Sequence, residues 1–346
     1  MKTFPPNSYF TYPHSNGFTR NGLVYGRLLD KDNLLIRRDF ETGEDTVIFT
    51  APRPESGCLW YDIAPDVNLL VTVSGKDLVL IPLDEPEKKR TLYNAPAGCS
   101  LDGIMSLKRD GSCVLMGETR PDSVKAAVEA DVRSGTARTL FSHTWWANHF
   151  HYCPHDENWI AFCHEGPTRT IPDRVWGWHA ALAPAGRCLF DQQSGTPGVP
   201  LCVGHERWCF HDAAALAIAY GDSAAGPRGL YEIFADGRHP RLVSEGDRDW
   251  HCNISRDGIL AVVDTTGSYA FPGKGWENDD RRSDIILIDM LTGARRHLFR
   301  TGEHSAGYQH PFHPHPAISP DSRYVVFNDY IPFADGVFPA VRMVMI

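Results

Sequence analysis

Short β-rich runs, each preceded by a polar turn, recur along this chain at an interval near 45 residues. That period limits the fold more than any other feature. The turns lie at Arg20-Asn21-Gly22, Pro65-Asp66, Asp110-Gly111, Pro154-His155-Asp156, His211-Asp212, Asp257-Gly258 and Pro320-Asp321. With Asn21, Asp66, Asp110, Asp156, Asp212, Asp257 and Asp321 as landmarks, the intervals are 45, 44, 46, 56, 45 and 64. These are seven units of one size, two of them carrying insertions.

An apolar run follows each landmark, as in Leu69-Leu70-Val71-Thr72-Val73, Leu216-Ala217-Ile218-Ala219-Tyr220 and Tyr324-Val325-Val326-Phe327. Further strands and turns complete several units, and amphipathic helix patterns are nearly missing. About four strands in a period of roughly 45 residues is the signature of a propeller blade. The expected fold is all-β, a seven-bladed β-propeller forming a single domain over 1–346, with blades beginning near residues 12, 58, 102, 147, 203, 249 and 310. The last unit ends after its third strand, so the segment before residue 15 is expected to supply the missing edge strand.

A net charge of −9, from 34 basic and 43 acidic side chains, argues against nucleic acid and anionic membranes as partners. No apolar stretch reaches 18 residues, and the opening Met1-Lys2-Thr3-Phe4-Pro5-Pro6 lacks a secretory-type apolar run, so a cytoplasmic protein is expected. The nine cysteines are scattered and never spaced C-x-x-C, which reads as buried free thiols.

Histidines carry the functional signal. The first strand of each blade runs along the axis, so equal offsets before the landmarks mean similar depth. His14, His149 and His205 each lie 7 residues before a landmark, His251 lies 6 before, and His313 and His315 lie 8 and 6 before. A strand period of two sends His313 and His315 to one face. With His251 from the adjacent blade, three imidazoles could converge on a cation, and Gln309 is a candidate oxygen ligand. Such a set favours Mn, Zn, Fe or Ni over Ca or Mg. Cys252 points to the other strand face and stays outside the set. Two plainer readings remain open: Arg174 as half of an ion pair with Asp173, and His205 held by Glu206 as a structural contact.

Five ordered motifs over roughly 147–329 resemble those of the oligogalacturonate lyases. They are Phe162-Cys163-His164-Glu165-Gly166-Pro167, Asp173-Arg174-Val175-Trp176, Gly204-His205-Glu206-Arg207-Trp208, Trp250-His251-Cys252-Asn253, and His313-Pro314-His315-Pro316 with Ser319-Pro320-Asp321. That family is a seven-bladed propeller of pectin catabolism that uses manganese. The resemblance implies that His251, His313 and His315 bind a divalent ion, Mn²⁺ or a related one, with Gln309 completing the set. It implies that Arg174 and His205 are the catalytic pair and that His149, His164 and Trp208 meet the substrate, an acidic oligosaccharide. Trp176, Trp178 and Trp208 are candidate sugar-stacking walls, and the insertion from Gly267 to Asp284 is a candidate rim over the site.

The implied reaction is β-elimination at a uronide: loss of the C5 proton, then of the C4 oxygen substituent, leaving a 4,5-unsaturated product. The segment 175–204 is longer here than in the family, which leaves open a lyase for rhamnose-glucuronate or another uronide linkage. A metal hydrolase and a non-enzymatic interaction scaffold are the competing classes. Oligomeric state is not legible.

Overall fold

The computed structural model describes residues 1–54, 57–166, 171–192, 202–220, 227–265, 280–304 and 310–346. The described strands form seven antiparallel sheets of four strands, a seven-bladed β-propeller as expected from the period. In blade order the innermost strands are Ser8–Tyr9, Tyr61–Ala64, Ser100–Leu107, Ala147–Tyr152, Cys202–Trp208, Asp249–Ile254 and Ala317–Ile318. In the first and last blades the paired inner strand is only two residues long and lies at Ser8–Tyr9 and Ala317–Ile318, whereas the sequence places those blades near 12 and 310. Side chains of Asn328 and other residues bond the neighbouring backbone there instead of a ladder partner. No helix among the described residues is long and apolar enough to cross a membrane.

Burial follows strand position. In blade 5 the second strand, Ala214–Tyr220, is buried at every residue, because neighbouring blades cover both its faces. Its sequence is accordingly an unbroken apolar run with small alanines that let the blades approach. Fourth strands face outward and carry charge, as in Arg295–Arg300 of blade 6, where every residue is exposed or half-buried. The core therefore lies between blades, as separate apolar clusters.

The ring is closed by the N-terminal residues. Lys2 and Thr3 pair antiparallel with Met343 and Arg342, giving the seventh sheet its fourth strand. Phe4 N–H then donates to the Val341 carbonyl at 3.0 Å, and Asn7 N–H to that of Pro339 at 2.7 Å. The chain next enters the hub of blade 1, where Tyr9 Oη lies 2.9 Å from Asn33 Oδ1 and 2.9 Å from the Leu59 carbonyl, joining blades 1 and 2. Gly26 is required beneath that ring: a Cβ there would stand 2.0 Å from the Tyr9 ring.

Beyond Tyr9 the chain crosses the axis. Thr11 Oγ1 donates to the Tyr61 carbonyl in blade 2 at 2.5 Å, the Pro13 carbonyl accepts from Asn253 Nδ2 in blade 6 at 2.8 Å, and the His14 carbonyl accepts from Arg207 in blade 5. Residues 11–16 thus plug the central channel. The buried Asp62 carboxylate accepts from Asn16 N–H at 2.6 Å and from Leu107 N–H at 2.7 Å, tying the plug to blades 2 and 3.

Candidate active site

Four inner strands share one irregularity. Their ladders to the second strand break register between Leu101 and Met105, Asn148 and His151, Gly204 and Arg207, and Asp249 and Cys252. A bulge leaves residues unpaired and re-aims their side chains. Here the unpaired residues include Asp102, His149, His205 and His251. His149 and His205 are driven into left-handed backbone, with φ of 61° and 56°, which costs free energy in a non-glycine residue. The strain is held in place: Cys252 Sγ donates to the His205 carbonyl at 3.1 Å, and Asn148 Oδ1 accepts from His149 N–H at 2.7 Å.

His251, His313 and His315 meet. Each offers a ring nitrogen, and these nitrogens lie within 4.8 Å of one another. The route to this arrangement differs from the expected one. Residues 313–316 are not a strand, and His315 sits at φ 45°, so a bend rather than a two-residue period brings the two rings together. The bend is fixed by Asn328 Nδ2 donating to the carbonyls of Pro311 and His313, each at 2.8 Å, and by His315 N–H donating to Asp264 Oδ2 at 3.1 Å.

Asp264 was not singled out from sequence, because one aspartate in an apolar second strand carries no spacing cue. Its carboxylate also accepts from His251 N–H at 2.7 Å and lies 2.8 Å from His251 Nδ1. With Nδ1–H held by that carboxylate, the Nε2 lone pair of His251 faces the cluster, a carboxylate–histidine arrangement typical of metal ligands. Burial lowers His251 and His315 well below the ordinary imidazole value, keeping both rings neutral. Burial raises Asp264 to about 7, against the opposing pull of the backbone N–H groups of His251 and His315.

His251 Nε2 and both ring nitrogens of His315 are buried without a hydrogen-bond partner among the described residues. Those open nitrogens, converging with a ring nitrogen of His313, fit a first-row divalent ion. Asp264→Asn is accordingly expected to weaken divalent-ion binding about 10- to 100-fold, read as Kd in competition with a chromogenic chelator.

His205 stands beside this cluster, its ring centroid 4.5 Å from that of His251. Trp250 and Tyr220 flank it at 5.0 and 5.2 Å. Burial first, then the neighbouring His251 and Arg174, depresses its pKa, so it is an uncharged imidazole. The Glu206 carboxylate instead accepts from Cys163 Sγ at 2.9 Å, and His205 Nδ1 has no partner among the described residues. This leaves no structural contact from Glu206 to explain His205.

Arg174 is buried, at 5% exposure, just before the third strand of blade 4. Its Nε donates to the Val203 carbonyl at 3.0 Å, its Nη1 to the Gly166 carbonyl at 3.2 Å, and its Nη2 to Glu165 Oε2 at 3.0 Å. The partner is therefore Glu165, whereas Asp173 bonds His164 Nδ1 at 2.9 Å. A Cβ at Gly204 would lie 3.3 Å from Tyr220 Oη, so the glycine preceding His205 gives room to that tyrosine, with Arg174 Nε in ordinary contact at 3.7 Å.

His149 joins the cluster through Tyr12, whose ring centroid is 5.0 Å from His149 and 5.2 Å from His315. His164 lies one strand outward, half-buried against Trp145 at 4.2 Å. Trp208 is a correction to the expected substrate contacts. It is wholly buried, with Nε1 donating to the His151 carbonyl at 3.2 Å inside the core between blades 4 and 5, so no sugar reaches it. Trp176 and Trp178 are half-buried and pack, beside Phe141, on the apolar cluster that contains Phe150 and Phe162. Gln309 lies outside the described residues, as does most of the insertion beginning at Gly267.

These features agree with what the chain resembles. A family model described as oligogalacturonate lyase matches residues 118–346. The oligogalacturonate lyase of Dickeya dadantii (strain 3937) is 23% identical over 301 residues, covering 85% of this chain and 68% of that protein. Among solved structures, an oligogalacturonate lyase in complex with manganese superposes with a TM-score of 0.81 at 20% identity, covering 100% of this chain and 96% of that one. An oligogalacturonate lyase from Vibrio parahaemolyticus gives 0.79 at 17% identity, covering 98% and 95%. The matched stretch contains Arg174, His205, His251, His313 and His315, and the chain belongs to the oligogalacturonate lyase family.

Proposed function

We propose that this protein is a metal-dependent lyase that cleaves short oligogalacturonides by β-elimination, with 1–346 acting as one domain. The observation that carries this reading is the meeting of three ligand-capable imidazoles, His251, His313 and His315, beside the uncharged His205 and the buried Arg174.

The C5 proton of a uronide is weakly acidic because its removal places a second negative charge next to the carboxylate. A divalent ion held by His251, His313 and His315 would neutralise that charge, and manganese, the ion of the similar lyase structure, is the one proposed. Arg174, fixed by Val203, Gly166 and Glu165, adds a preorganised positive charge on the same side. His205 accepts the C5 proton; an imidazole that is neutral before reaction can serve as base at working pH. The electron pair left at C5 forms the C4–C5 double bond as the C4–O bond breaks, and the leaving oxygen takes a proton from solvent or from the protonated His205, which either way gives up its proton before the next turnover. No water is consumed. Asp264 holds His251 in the tautomer that presents Nε2.

His149 and His164 lie on the face where the substrate would extend. Gln309 is kept as the proposed fourth ligand on the grounds of sequence alone. The partner is thus an acidic oligosaccharide. Nine cysteines scattered without C-x-x-C spacing support a reducing, cytoplasmic setting.

The test is to incubate the purified protein with galacturonate oligomers, and separately with rhamnose-linked glucuronides, with and without chelator. An ultraviolet-absorbing unsaturated product from the galacturonate oligomers, lost on chelation and restored by Mn²⁺, is expected. Cleavage without absorbance would make the protein a hydrolase, and activity on the glucuronide alone would move the substrate class.

A further inference from the structure

A second set of ligand-capable groups shares no residue with the three imidazoles of the first. His14 from the plug, His151 from blade 4 and Glu206 from blade 5 offer ring nitrogens and a carboxylate oxygen within 4.8 Å of one another. All three side chains are sealed from solvent, at 5%, 1% and 2% exposure. His14 Nε2, His151 Nε2 and Glu206 Oε1 are each buried without a hydrogen-bond partner among the described residues. A buried polar atom left without a partner is costly, because it has given up water for nothing. Three such atoms facing one another call for a common partner.

The surrounding bonds settle which atoms are available. His151 Nδ1–H donates to the His149 carbonyl at 2.7 Å, so Nε2 carries the lone pair. The His14 and His151 rings stack at 4.3 Å with 6° between their planes, which holds the two imidazoles side by side. Burial lowers both imidazoles, His151 to about 3, so neither is an imidazolium that Glu206 could pair with. Glu206 Oε2 accepts a hydrogen bond from the Cys163 thiol at 2.9 Å, and burial keeps that thiol protonated, which leaves Oε1 as the available ligand atom. Arg207 brings a positive charge nearby, but its Nη1 is committed to the His14 carbonyl, and the Asp62 carboxylate opposes its charge.

We propose that His14 Nε2, His151 Nε2 and Glu206 Oε1 form a second site for a divalent first-row cation, which pins the axial plug of blade 1 to blades 4 and 5. Two imidazoles and one carboxylate are a recurrent ligand set for such ions. Tyr12 separates this site from the first, its ring centroid lying 4.8 Å from His14 and 5.2 Å from His315. The inference stands on different residues from the lyase reading and does not depend on it.

The test counts ions per chain. Protein stripped with chelator is loaded with Zn²⁺, desalted and analysed by plasma mass spectrometry, with circular dichroism to check folding. Two ions per chain are expected for wild type, one for His313→Ala, one for Glu206→Gln and none for the double variant. A melting temperature that still falls on chelation in His313→Ala would place the remaining ion in the folded core, as proposed. His14→Gln gives the same loss of one ion should Glu206→Gln fail to fold. One ion in wild type with none in His313→Ala overturns the second site and leaves the lyase reading intact. Two ions retained in both Glu206→Gln and His14→Gln also overturns it.

Discussion

His205→Ala is expected to lower kcat by about 10²- to 10⁴-fold, the usual worth of a positioned general base, while metal content and melting behaviour stay close to wild type. The geometry explains the separation of effects. His205 sits 4.5 Å, ring to ring, from His251, yet it is not among the three imidazoles whose nitrogens converge. Its backbone is held by the bulge and by the Cys252 thiol, neither of which involves its ring. Removing the ring also relieves nothing in the ladder, because the residue is already unpaired there. KM should move little if the imidazole acts mainly on the C5 proton. Metal analysis of the purified variant beside steady-state kinetics decides the matter: loss of the ion together with activity would make His205 a ligand and overturn its role as base.

His313→Ala is expected to do the reverse, losing the ion of the first cluster and, with it, about 10²- to 10³-fold or more of turnover, the scale of one charge-stabilising element in a preorganised site. Two imidazoles, His251 and His315, remain, and a pair of neutral ligands without a carboxylate holds a divalent ion weakly. Saturating Mn²⁺ should therefore recover part of the activity in His313→Ala and none in His205→Ala. That difference in rescue separates a ligand from a base even if both variants are inactive as purified. Equal rescue of the two, or of neither with full metal content in both, would mean that the roles are wrongly divided.

Much of this was readable before folding was considered. The landmarks from Asn21 to Asp321 gave the number of blades, because each polar turn has to interrupt an apolar run wherever a strand leaves the axis. Offsets before those landmarks gathered His149, His205 and His251 into one region, since equal offsets along parallel-running inner strands mean equal depth; His313 and His315 reach it from the bend before the last inner strand, and His14 from the axial plug. Trp208 was misread because sequence shows that an aromatic residue is on an inner strand but not which side of the blade it faces after a bulge has shifted the register. His313 and His315 were rightly paired for a reason that does not hold, as the segment bends at His315 instead of alternating. Asp102, Asp264 and Glu165 left no trace in spacing, because their partners lie in other strands.

What the chain's order of residues determined by itself is local: strand period, turn positions, and which chemistry each blade carries to its inner edge. What tertiary structure decided is which atoms face which. Asp264 and His315 are 51 residues apart, and Arg207 and the His14 carbonyl are 193 apart. Closing the ring brings such groups within hydrogen-bond reach, and burial then makes the imidazoles neutral and their lone pairs available. A period can repeat a histidine at the hub, but the tautomer, the left-handed backbone at His149, His205 and His315, and the side to which each ring turns are set by contacts between blades.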